Sequence, residues 1–99
     1  MSKQLVVIAL GGNAILQPGQ AGTFEQQYAN VEKTCRQLAK MVLSNKYKIV
    51  ITHGNGPQVG NLLLQNEIAK DTTPPMPLDV CGSQSQGFIG YMMQQALHN

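Results

Sequence analysis

Two short segments place glycine and asparagine directly behind apolar runs: Gly11-Gly12-Asn13 and His53-Gly54-Asn55-Gly56-Pro57. Glycine has no side chain, so backbone N–H groups there can approach an anion closely. Asn13 and Asn55 add neutral side-chain donors. A plain turn explains one such loop equally well, but two similar loops on neighbouring strands favour an anion site. They match neither named nucleotide fingerprint: Gly-x-Gly-x-x-Gly is missing after the first apolar run, and no Walker lysine is present.

Other residue types offer less. His53 has the chemistry of a general base near neutral pH, yet a strand-end histidine bonded to backbone to fix the loop is the preferred reading. Asp79 fits a capping or turn-forming carboxylate better than a ligand. Lys3, Lys46 and Lys48 flank strands and read as solvated. Met41, Met76, Met92 and Met93 form no metal-binding pattern and read as core. The two cysteines, Cys35 and Cys81, lie at no metal or redox spacing. No Ser/His/Asp arrangement can be drawn.

The elements that would position the loops are an alternation of strand and helix. Leu5 to Leu10 is a β-branched apolar run, read as a strand buried on both faces in a parallel sheet. Residues 17–22 (QPGQAG) form a loop. Thr23 and Gln26 fit a capping box opening a helix to about Asn45, with Tyr28, Val31, Cys35, Leu38 and Val42 on its buried face. Lys48 to Thr52 is a second strand, completing a βαβ unit whose crossover is expected to be right-handed. A second helix starts at Pro57, which loses no hydrogen bond at a first helical position. Val59, Leu62, Leu63 and Ile68 are its expected buried stripe.

Asp71 to Pro77 is a proline-rich connector. Ser83 with Gln86 is read as another capping box, opening a third helix through Ile89, Met92, Met93, Ala96 and Leu97 without an obvious end at Asn99. Gly87 and Gly90 within it cost about 1 kcal/mol each against alanine, which suggests close approach of another backbone, either within the fold or across a subunit contact. In a parallel α/β sheet both glycine loops leave the carboxyl edge, where ligands bind, and the second runs into a helix N-terminus that favours negative charge. Two strands make a thin sheet, so the chain reads as the front portion of a larger domain.

Composition bounds the function. The chain has 99 residues, 42% hydrophobic and 12% charged, which supports one small core and argues against disorder. A formal charge of +2 is too mild for a nucleic-acid binder. Lys33, Arg36 and Lys40, interleaved with Glu25 and Glu32, read as a solvated helix face. No apolar segment approaches membrane-spanning length, and nothing at the N-terminus resembles a signal peptide. A reduced, cytoplasmic protein follows as the default.

Three stretches carry a family resemblance: "VVIALGGNAIL" (Val6 to Leu16), "THGNGPQVGNLLLQ" (Thr52 to Gln65) and "MPLDVCGSQSQGFIGYMMQQAL" (Met76 to Leu97). In this order and spacing they resemble the N-terminal part of the carbamate kinases, members of the amino-acid kinase fold. Ala9 stands where many amino-acid kinases carry a lysine before Gly-Gly, which is similar to carbamate kinases and disfavours acetylglutamate, glutamate and uridylate kinases.

The resemblance implies a three-layer αβα sandwich with a mainly parallel sheet, of which residues 1–99 are the N-terminal substrate-binding portion. The nucleotide-binding C-terminal half would be absent. It also implies reversible phosphoryl transfer between ATP and carbamate, as in arginine catabolism, with Mg²⁺ accompanying ATP or ADP, and a homodimer. Gly11, Gly12, Asn13, Gly54, Asn55 and Gly56 would bind carbamoyl phosphate or carbamate. The catalytic lysines are expected downstream, so these 99 residues alone are expected to be inactive. Two alternatives remain: an enzyme of the same fold acting on another small carboxylate or phosphate, and a non-catalytic α/β anion-binding module.

Overall fold

The structure is a computed structural model describing residues 3–98, apart from the Asn13 side chain; Asn99, the expected run-out of the last helix, lies outside the described residues. The chain forms two compact units, residues 1–54 with 92–99, and residues 55–91.

In the first unit, strand β1 (Gln4–Leu10) and strand β2 (Tyr47–His53) pair in parallel, from Gln4 opposite Tyr47 to Leu10 opposite His53. Helix α1 (Phe24–Ser44) connects them and packs on β2. This is the expected α/β arrangement. The strands are not buried on both faces, however. Val6, Ile8, Ile49 and Ile51 are half-buried, whereas Leu5, Val7 and Val50 on the opposite face are exposed. A single crossover helix covers only one face of its sheet, so side chains alternate between covered and open.

The bounds of α1 follow from its ends. Thr23 Oγ1 accepts from the Gln26 N–H at 3.2 Å, while Gln26 Oε1 accepts from the Thr23 N–H at 3.2 Å. These reciprocal bonds satisfy orphan donors at the first turn, as a capping box must. At the other end Asn45 adopts the left-handed conformation (φ 58°, ψ 22°) and its N–H reaches the Val42 carbonyl. Asparagine tolerates that region better than most residues, so the helix stops there. Val31, Cys35 and Leu38 are buried as expected, but Val42 is half exposed at 54%. Burial raises the pKa of the Cys35 thiol from its ordinary value of 9.0, because a thiolate would be poorly solvated there. On the outer face Glu32 and Arg36 form an exposed ion pair at 2.7 Å, in keeping with a solvated helix side.

In the second unit, helix α2 (Gly56–Ala69) begins one residue before Pro57, which therefore sits second in the helix. Its N–H would be one of the orphans there too. The stripe assigned to the core of α2 is mostly not buried: Val59 and Leu62 are half-buried, and Ile68 is 75% exposed. The buried residue of α2 is instead Gln58. An amphipathic pattern states which face seeks cover, and this chain leaves that face largely uncovered.

Helix α3 (Leu78–His98) starts five residues before Ser83, which corrects the second capping box. Its first turn closes with the Cys81 N–H on the Pro77 carbonyl at 3.0 Å, and the Ser83 hydroxyl donates to the Val80 carbonyl within the helix at 2.7 Å. Proline disfavours helix at the residue before it, so Met76 stays outside and Leu78 begins the helix. Asp79 falls in the first turn, where a carboxylate complements the helix dipole. The connector is pinned by Asn66, whose Oδ1 accepts from the Met76 N–H and whose Nδ2 donates to the Leu62 carbonyl, both at 2.7 Å. Cys81 and Ile89 are buried, as are Met92 and Met93 in the part of α3 that belongs to the first unit. A Cβ added at Gly87 or Gly90 would meet nothing within 4 Å among the described residues, so no close backbone approach within the fold accounts for either glycine there.

Candidate functional site

Both glycine loops leave the same end of the sheet. Parallel register sets Leu10 beside His53, and the ladder continues one step further, with the Gly54 N–H donating to the Leu10 carbonyl at 3.1 Å. Gly11, Gly12 and Gly54 are therefore brought together at the carboxyl edge of β1 and β2, in the first unit. That is where an open α/β sheet binds ligands.

The first loop is a single 3-10 turn, Gly12–Ala14, entered through Gly11 in an extended conformation (φ −72°, ψ 172°). The Ala14 N–H donates to the Gly11 carbonyl at 3.0 Å and the Leu16 N–H to the Gly12 carbonyl at 2.8 Å. Ile15, which follows the turn, is 1% exposed. Asn30 of α1 holds its exit: Nδ2 donates to the Ile15 carbonyl at 2.9 Å and to Gln20 Oε1 at 2.7 Å. Gln20 then folds the following loop by accepting the Gln17 N–H, and Gly19 there has a positive φ of 85°. Asn13 lies within the 3-10 turn, and its expected role as a side-chain donor falls outside the described residues.

Gly11 and Gly12 are exposed, and a Cβ on either would meet nothing within 4 Å among the described residues. The backbone angles of Gly11 are open to any L-residue. Neither conformation nor packing among the described residues requires glycine at position 11. Close approach of a ligand to the backbone would require it.

In the second loop, His53 Nδ1 lies 3.1 Å from the Gly54 carbonyl, so that nitrogen carries the proton and donates. This is the backbone-fixing role preferred from sequence. Asn55 and Gly56 open the second unit: Asn55 is the N-cap of α2, and its carbonyl accepts the Val59 N–H at 2.9 Å. No acidic residue occupies the first turn of α2, so its positive end is not neutralised from within the helix. The Asn55 side chain does not cap the helix; its Nδ2 donates to Ser85 Oγ of α3 at 2.7 Å. Asn30 and Ser85 are the positioning residues that the sequence reading passed over. Ser85 had a signal, a polar residue on the buried stripe Cys81, Ser85, Ile89, spaced at four.

Among the described residues, the carboxyl edge of β1 and β2 presents the exposed backbone of Gly11, Gly12 and Gly54. Among the described residues no group of three His, Cys, Asp or Glu side chains could hold a metal ion. No helix among them is long and apolar enough to cross a membrane.

Comparison with known proteins narrows the chemistry. The family described as the amino acid kinase family matches residues 4–99. Carbamate kinase of Thermococcus kodakarensis is 56% identical over 96 residues, covering 95% of this chain and 30% of that protein. Carbamate kinase of Escherichia coli K12 is 52% identical over 92 residues, covering 93% of this chain and 30% of that protein. Among solved structures, carbamate kinase from Giardia lamblia bound to AMP-PNP superposes with a TM-score of 0.91 at 52% identity, covering 97% of this chain and 33% of that one. The chain thus spans about 30% of the length of the curated relatives it matches.

Proposed function

Because the chain belongs to the amino acid kinase family, we propose that it is the N-terminal, substrate-binding portion of a carbamate kinase. The whole enzyme transfers a phosphoryl group between ATP and carbamate, run toward ATP from carbamoyl phosphate and ADP as in arginine catabolism. The observation that carries this reading is the register of Leu10 with His53, which sets both glycine loops on adjacent strand ends. Identity above 50% to proteins named carbamate kinase supports the choice of substrate, and the relative bound to AMP-PNP supports the nucleotide.

In this reading Gly11, Gly12, Asn13 and Gly54 receive the carbamoyl phosphate through backbone and carboxamide donors, with Asn55 and Gly56 following on the second loop. Catalysis rests on positioning and on electrostatic stabilisation of the transferring group. Neutral donors hold the substrate without contributing charge, so the compensating cations come from lysines outside these residues. Mg²⁺ is proposed to arrive with the nucleotide; among the described residues no group of three His, Cys, Asp or Glu side chains could hold a metal, and no step is assigned to one here. The full enzyme is proposed to be a cytoplasmic homodimer, and the open space beside Gly87 and Gly90 leaves room for another backbone.

Titration of the isotope-labelled chain with carbamoyl phosphate tests the binding half. Amide shifts at Gly11, Gly12, Gly54 and Asn55 are expected; no perturbation at saturating ligand would remove both loops from the site. For the full enzyme, ATP formation from carbamoyl phosphate and ADP is expected, while the chain of 99 residues alone is expected to show none.

A further inference from the structure

Ser85 is fully buried, at 0% exposure, on the apolar stripe of α3. A buried hydroxyl without partners is destabilising, and this one has two. Its proton is donated to the Gly82 carbonyl at 2.8 Å, and its oxygen accepts from Asn55 Nδ2 at 2.7 Å. Because the hydroxyl has one proton and spends it on a carbonyl, Asn55 must present its nitrogen, not its oxygen. The orientation of the carboxamide is thereby set from α3.

Asparagine is among the best helix N-caps, since its side-chain oxygen ordinarily accepts from the second or third N–H of the helix. Asn55 occupies the N-cap of α2 and makes no such bond. Pro57, second in the helix, has no N–H to offer. The side chain is held by Ser85 instead, and all of these residues lie in the same compact unit.

We propose that Ser85 is a positioning residue for substrate, holding the Asn55 carboxamide off the helix terminus so that Oδ1 and the second N–H are offered to the ligand. This rests on the proposed function above. A carboxamide presenting one donor and one acceptor complements the H₂N–C=O group of carbamoyl phosphate. Acetyl phosphate has the same shape but a methyl group in place of the amine, and leaves the acceptor unpaired. Ser85 therefore contributes to discrimination between the two through Asn55.

The test compares the wild-type chain with Ser85→Ala, Ser85→Thr, Asn55→Ala and the Ser85→Ala/Asn55→Ala double variant, titrated separately with carbamoyl phosphate and acetyl phosphate. Loss of one neutral hydrogen bond corresponds to about fivefold in affinity. Ser85→Ala is expected to weaken carbamoyl phosphate by about that factor and acetyl phosphate less, and Ser85→Thr to restore the difference. In the Asn55→Ala background, Ser85→Ala should add nothing. Unchanged affinity in Ser85→Ala, or a full loss persisting without Asn55, overturns the positioning role while leaving the loops as the binding site. Absence of binding to the wild type overturns the proposed function and this role with it. A measurement without mutation guards against misfolding: the Asn55 side-chain NH₂ of the wild type should show one proton shifted and protected from solvent exchange. Two equivalent, rapidly exchanging protons would overturn the proposal.

Discussion

Gly11→Ala separates folding from binding at one atom. Gly11 has φ −72° and ψ 172°, and a methyl group there has no neighbour within 4 Å among the described residues. Alanine adopts that conformation without strain and narrows the unfolded ensemble, which stabilises a fold by about 0.4–1 kcal/mol. For a chain of 99 residues this raises the unfolding midpoint by about 2–8 °C. If the loop cradles an anion, the same methyl stands where the ligand approaches the backbone. Losing a charge-assisted hydrogen bond costs about 1.5–3 kcal/mol, or about ten- to a hundredfold in affinity. Thermal unfolding and carbamoyl phosphate titration of the same sample therefore move in opposite directions. Wild-type affinity in Gly11→Ala would exclude a close ligand approach at this position. A loss of stability beyond about 1 kcal/mol would show instead that the fold itself requires this glycine.

Three further outcomes follow from the elements that hold the loops. Thr23→Ala removes the bond from the Gln26 N–H and should destabilise the chain by about 1 kcal/mol in denaturant unfolding. At Asn45, whose φ is 58°, glycine should be about as stable as asparagine and alanine about 1 kcal/mol worse, measured the same way. Cys35 is buried and its pKa is raised, so the folded state holds the thiol proton to higher pH than the unfolded chain does. The contribution of the neutral thiol is complete below its ordinary value of 9.0 and is lost as pH rises above it. The stability difference between wild type and Cys35→Ala should accordingly shrink with alkalinity, and iodoacetamide should label Cys35 only on unfolding.

Local rules were readable where both partners lie within one turn of chain. The capping box of Thr23 and Gln26 was legible because its donors and acceptors are three residues apart. The same spacing misled at Ser83 and Gln86, since a serine inside a helix can bond back to its own turn, as Ser83 does with Val80. Proline at position 77 marks the true start better, because its steric restriction acts on the backbone regardless of side-chain partners.

Sequence alone determined the alternation of strand and helix and the two glycine loops behind the strands, because backbone propensity and missing side chains act locally. Tertiary structure decided what depends on partners distant in the chain. Pairing of Leu10 with His53 brought Gly11, Gly12 and Gly54 to one edge. Coverage, and not hydrophobicity, determined that Val31 is buried while Val7 and Ile68 are exposed. Thirty residues separate Asn55 from Ser85, and no local pattern encodes that hydrogen bond: only the packing of α3 against the start of α2 could take the Asn55 carboxamide from its ordinary capping role.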